Sequence, residues 1–130
     1  MTNMFGGKLK MIPRALISVV DDDESVRESL PDLLREFGFE VEAFAGGEDF
    51  LASDSIGRTR CLILDVAMPG MTGPAVQTEL KRRGHKIPII FITAHGDAMT
   101  RPRMIESGAV DCLLKPFSEK ALLEALDTVF

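Results

Sequence analysis

Cysteine and histidine are both scarce in this chain, with two of each in 130 residues. Cys61 and Cys112 stand far apart, and no short Cys/His spacing suits zinc. Each cysteine falls in or beside an apolar run, which reads as a small buried core residue in a reduced, cytoplasmic setting. Long apolar runs are lacking too. Ala15 to Val20 is too short for a signal-peptide core and meets three aspartates at once, and no run approaches the length of a membrane span. Positive charge is short: 15 Lys and Arg face 20 Asp and Glu, for a net charge of −5. That balance lacks the basic footprint of a nucleic-acid surface. The one basic cluster, Lys81-Arg82-Arg83, falls where a helix should end, and cations there complement the helix dipole as a solvated terminus. Internal repeats and low-complexity tracts are absent.

What is present is ordinary for one globular domain: 45% hydrophobic and 27% charged residues in a chain long enough to bury its own core. Residues 1–13 carry glycine and methionine without periodicity and read as a flexible lead-in, leaving 14–130 as the folded domain. From there strand and helix patterns alternate. Strands are expected over 15–20, 40–44, 61–65, 87–93 and 110–114. Helices are expected over about 24–37, 47–52, 74–83 and 101–107, with a last one capped by Ser118. A polar loop should fill 53–60. Asp23 is the natural cap of the first helix and Gly38 its stop. Pro31 should bend that helix near Arg27, and Pro102 should shorten or displace the start of the fourth. Several strands are apolar throughout, which implies a parallel sheet covered on both faces. Right-handed crossovers then leave a doubly wound α/β sheet of five strands and five helices.

Four of the apolar runs end in residues suited to phosphoryl chemistry. They lead into Asp21-Asp22-Asp23, Asp65, Thr93 and Lys115. In an open parallel sheet, ligands bind at the carboxyl ends of the strands, so these residues should meet on one rim. Clustered carboxylates repel one another unless a cation lies between them. A carboxylate can also attack phosphorus to give an acyl phosphate.

Five motifs carry a resemblance: Val19 to Glu24, Leu62 to Gly73, Phe91 to Asp97, Gly108 to Asp111, and Lys115-Pro116-Phe117. In this order and spacing the chain, from about Ala15 to its end, resembles a response-regulator receiver domain of two-component signalling. The wording around Thr93 and Gly108 is most similar to FixJ-type receivers. The resemblance implies a flavodoxin-like fold with strand order 2-1-3-4-5. It implies Asp65 as phosphoacceptor, Thr93 as the switch hydroxyl and Lys115 as the phosphate-pairing cation. It further implies Mg²⁺ held by Asp22, Asp65 and the backbone carbonyl of Ala67, with Asp21 holding a bound water, and a cis Lys115-Pro116 bond. Ala67 and His95 should flank the phosphoryl group, while His85 is plain surface. The implied partner is a histidine kinase or phosphotransfer protein, with a homodimer through the face of the fourth helix, fifth strand and fifth helix. Such a protein catalyses only its own phosphorylation and dephosphorylation. No contact with nucleic acid or membrane is expected of this chain itself.

The chain also departs from the family pattern. Cys112 takes the place of the aromatic switch residue, so either the switch works through Thr93 and its loop alone or the coupling is weak. With Pro102, this departure lies on the expected output face. Two other readings remain open at the level of sequence. One is a degenerate receiver used only for protein contact. The other is a haloacid-dehalogenase-like phosphatase, which needs a second acid where Ala67 stands.

Overall fold

The computed structural model describes residues 14–130. The lead-in expected over residues 1–13 lies outside the described residues. Five parallel strands form one sheet: β1 Leu16–Val20, β2 Glu40–Phe44, β3 Thr59–Asp65, β4 Ile89–Thr93 and β5 Asp111–Leu114, in the order β2-β1-β3-β4-β5. Five α-helices connect and follow them: α1 Glu24–Glu36, α2 Gly47–Leu51, α3 Gly73–Arg82, α4 Thr100–Glu106 and α5 Glu119–Asp127. The expected flavodoxin-like α/β architecture is therefore the observed one.

Strands β1 and β4, apolar except for Ser18 and Thr93, are buried along their whole length because helices cover both sheet faces. On one face Ile17, Cys61 and Ile63 meet Leu34 of α1 and Leu122 and Leu126 of α5. On the other, Leu62, Leu64 and Phe91 meet Phe50 of α2 and Val76 and Leu80 of α3. Cys61 and Cys112 belong to opposite faces, and both are free. Burial pushes the Cys61 thiol up to about 12 and raises that of Cys112, so both behave as the inert core residues expected.

Several boundaries differ from expectation, three of them for identifiable physical reasons. β3 starts at Thr59, two residues early, and a 3₁₀ turn at Asp54–Gly57 occupies the expected loop. The Thr59 hydroxyl donates to Ser55 O at 2.7 Å and lies 2.7 Å from the Ser18 hydroxyl, so buried polar residues extend the strand. β4 starts at Ile89 instead of residue 87, because Pro88 has no N–H for a ladder and contributes only its carbonyl, to Leu62 N. Pro102 does not displace α4. It is the third helical residue, where its missing N–H has no intrahelical partner to lose, and the helix begins one residue earlier than expected, at Thr100. Pro31 is buried within α1, which runs unbroken to Glu36. The basic cluster at the end of α3 is more than a solvated terminus. Lys81 Nζ donates to Ser107 O at 2.8 Å and Arg83 Nη1 to Leu51 O at 3.0 Å.

Candidate functional site

The carboxyl ends of β1, β3, β4 and β5 bring the predicted residues to one rim. β1 ends at Val20 and delivers Asp21, fully buried, followed by exposed Asp22. β3 ends at Asp65, which is 4% exposed. One oxygen from each of Asp21, Asp22 and Asp65 lies within 4.8 Å of the others. Lys115, one residue beyond β5, reaches back across the rim. Its Nζ is 2.7 Å from Asp21 Oδ2 and 3.7 Å from Asp65 Oδ1. The Lys115-Pro116 peptide bond is cis, as expected.

The backbone explains why these side chains are where they are. Asp23 caps α1 by accepting from Ser25 N–H at 3.0 Å, which turns the chain just after the acidic pair. Asp21 N–H donates to Phe44 O at 3.1 Å, and Lys115 N–H to Thr93 O at 2.8 Å. Gly73 opens α3 directly against the end of β3. A Cβ there would sit 2.4 Å from Asp65 O, so only glycine lets the helix approach this closely.

Thr93 ends β4, is 3% exposed, and its hydroxyl accepts from His95 N–H at 3.1 Å. Ala67 and His95 both lie exposed, two residues beyond Asp65 and Thr93 respectively. Cys112 does not fill the space beside β5. It lines a cavity of about 360 Å³ with Thr93, Gly96, Thr100 and Leu114.

Electrostatics separates the roles. Burial first, then the charge of Asp21, pushes the Asp65 carboxyl up to about 7, with Lys115 opposing. Burial works against the Lys115 ammonium, but its hydrogen bond to Asp21 and the charges of Asp21 and Asp65 more than offset this, so its pKa lies above the usual lysine value. The acids outnumber the lysine here. Their donor set of hard carboxylate oxygens suits a hard cation such as Mg²⁺.

A family model described as the response regulator receiver domain matches residues 17–127. The chain belongs to the receiver-domain family. Nodulation protein W of Bradyrhizobium diazoefficiens is 46% identical over 121 residues, covering 93% of this chain and 53% of that protein. The solved structure of the response regulator StyR superposes with a TM-score of 0.80 at 46% identity, covering 89% of this chain and 59% of StyR. FixJ-N superposes at 0.79 with 34% identity, covering 91% of this chain and 94% of that one. The chain spans about half the length of the curated relative it matches. Receiver domains of response regulators are signalling modules, and the acidic cluster of this one is the receiver's acidic pocket. Among the described residues no helix is long and apolar enough to cross a membrane.

One residue of the rim is not foreseen from the sequence. Arg27, on the first turn of α1, donates from Nη1 to Asp21 O at 2.9 Å. No residue pattern marks it, since its acceptor is a main-chain carbonyl.

Proposed function

We propose that this chain is a phosphoacceptor receiver that takes a phosphoryl group on Asp65 from the phosphohistidine of a histidine kinase or phosphotransfer protein. An Asp65 carboxylate oxygen attacks phosphorus and forms the P–O bond of an acyl phosphate. The P–N bond breaks, its electron pair stays on the imidazole nitrogen, and that nitrogen takes up a proton from solvent. The observation that carries this reading is the nearly buried Asp65 with the Lys115 ammonium 3.7 Å away and two further carboxylates beside it. Lys115 is placed to offset charge on the phosphoryl oxygens as a point charge. Thr93 turns its hydroxyl from His95 N–H toward the same oxygens, which couples the site to the loop before α4.

Mg²⁺ would be held by Asp22, Asp65 and the Ala67 carbonyl, and would neutralise charge between the acids and the phosphoryl group. Asp21 suits an indirect role through water, because Asp23 N–H already donates to its Oδ1 at 2.9 Å and Lys115 to its Oδ2 at 2.7 Å. The output is a change in the face formed by α4, β5 and α5, with a second copy of this chain as one occupant. Neither nucleic acid nor membrane is a partner of this chain itself. A phosphatase of the haloacid-dehalogenase kind is disfavoured by Ala67, which offers no acid two residues after Asp65. A purely degenerate receiver is disfavoured by the assembled rim.

The test is incubation with a small acyl-phosphate donor and Mg²⁺, followed by intact mass. One phosphoryl group should be added to the wild type, and none with a chelator or in Asp65→Asn. Equal phosphorylation of Asp65→Asn contradicts the proposal.

A further inference from the structure

Asp21 is saturated. Its N–H donates to Phe44 O at 3.1 Å, its Oδ1 accepts from Asp23 N–H at 2.9 Å, its Oδ2 from Lys115 Nζ at 2.7 Å, and its carbonyl from Arg27 Nη1 at 2.9 Å. The first three contacts come from the backbone or from the rim itself. The fourth comes from a side chain six residues on, half-buried against the mouth of the site. That carbonyl belongs to the peptide linking Asp21 to Asp22. Holding its oxygen fixes the peptide plane, and with it the direction in which Asp22, the exposed acid of the cluster, leaves the chain.

We propose that Arg27 is a positioning residue for cation binding: its guanidinium clamps the Asp21–Asp22 peptide so that the Asp22 carboxylate is aimed at Asp65 before any cation arrives. This deepens the receiver reading and rests on it. The choice of acceptor matters. Lys115 spends its charge on carboxylate oxygens, whereas Arg27 bonds a carbonyl and leaves the carboxylates free for a metal. Arg27 therefore has two opposed effects. As a charge it repels a divalent cation, and as a clamp it orders a ligand. Arg27 is only half-buried, so solvent screens its charge, while the hydrogen bond acts at contact distance. The clamp is the larger effect. The placement is also against the grain of the helix, since a cation in the first turn of α1 faces the positive end of the dipole. The bond to Asp21 O is the compensation.

The two effects predict opposite signs, so removing Arg27 separates them. In Arg27→Gln the half-saturating Mg²⁺ concentration, measured by titration calorimetry without phosphodonor, should increase roughly tenfold, as for other groups that orient metal ligands. Phosphorylation followed across Mg²⁺ concentrations should show the same shift in its Mg²⁺ dependence. Arg27→Lys keeps the charge and one donor and should recover part of the loss. An unchanged or lower half-saturating concentration in Arg27→Gln, with a wild type that responds to Mg²⁺, overturns the clamp and leaves the receiver reading standing. The clamp is equally overturned if both variants lose metal-free stability while their half-saturation matches wild type. A wild type that shows no Mg²⁺ response removes the receiver reading itself, and the clamp with it.

Discussion

Asp65 has an ionisation out of line with its type. Its carboxyl is held up to about 7, against an ordinary value of 3.8, mainly by burial and then by Asp21. The folded chain therefore binds this proton more tightly than the unfolded chain does, and stability must fall as pH rises from about 4 through about 7. Glu79 titrates below this window, near 2, held down by Arg82 and Arg83, and Lys115 titrates above it. Between pH 5 and 8 without metal, the melting temperature of the wild type should drop, while that of Asp65→Asn should stay flatter. Saturating Mg²⁺ should remove most of the difference, because a ligand bound only by the native state offsets the repulsion. A wild type as flat as the variant would show that Asp65 is not strained.

Lys115 is the counterpart. Replacing it by Met leaves the fully buried Asp21 carboxylate beside Asp65 with no cation bonded to it. Breaking a buried pair costs about 3–5 kcal/mol; discounted for the solvent that Lys115 reaches, the expected loss is about 2 kcal/mol at pH 8 in denaturant titration. No loss would mean that the acids find another partner.

At the scale of elements, two helices make contrasting predictions. α3 is locked to β3 through Gly73, whose position leaves 2.4 Å between a new Cβ and Asp65 O. Gly73→Ala should cost about 1–3 kcal/mol, as overpacking does, and should also slow phosphorylation because the carbonyl that moves belongs to Asp65, the proposed acceptor. Wild-type stability and rate in this variant would contradict the tight approach. α4 is the loose element. It has no buried residue, no side-chain cap at its start, and exposed Met99 and Ile105 at either end. It is tied at its far end, where buried Gln77 Nε2 donates to Ser107 Oγ at 3.1 Å and Lys81 Nζ to Ser107 O. Backbone amides of α4 should exchange with solvent faster than those of α1, and Gln77→Ala should speed them further. Protection in α4 equal to that in α1 would contradict a loosely held α4.

Across the whole molecule, the chain announces its fold because local signals and global order agree. Apolar strands that cannot be half-solvated, caps at Asp23 and Ser118 and a stop at Gly38 all point to one doubly wound sheet. The rim was legible for the same reason: four strand ends, each with its chemical residue, can only converge at one edge of a parallel sheet. What sequence did not disclose depends on partners distant in the chain. Thr59 looks like loop until Ser18 and Ser55 satisfy its hydroxyl. Arg27 looks like a solvated helix residue until Asp21 O is seen in front of it. Lys81 and Arg83 look like dipole-complementing charges until Ser107 and Leu51 appear as acceptors. Pro102 looks disruptive until the helix start is fixed one residue earlier.

The proposed function turns on an acyl phosphate formed on Asp65. Borohydride reduction of the phosphorylated chain, followed by peptide mass spectrometry, reads this out, since hydride converts an aspartyl phosphate to homoserine and marks the residue that carried it. Homoserine should appear at position 65 in samples treated with phosphodonor and Mg²⁺, with intact aspartate at positions 21 and 22. Homoserine at either of those positions, or no reduced residue in a chain whose mass shows a phosphoryl group, would contradict Asp65 as the acceptor.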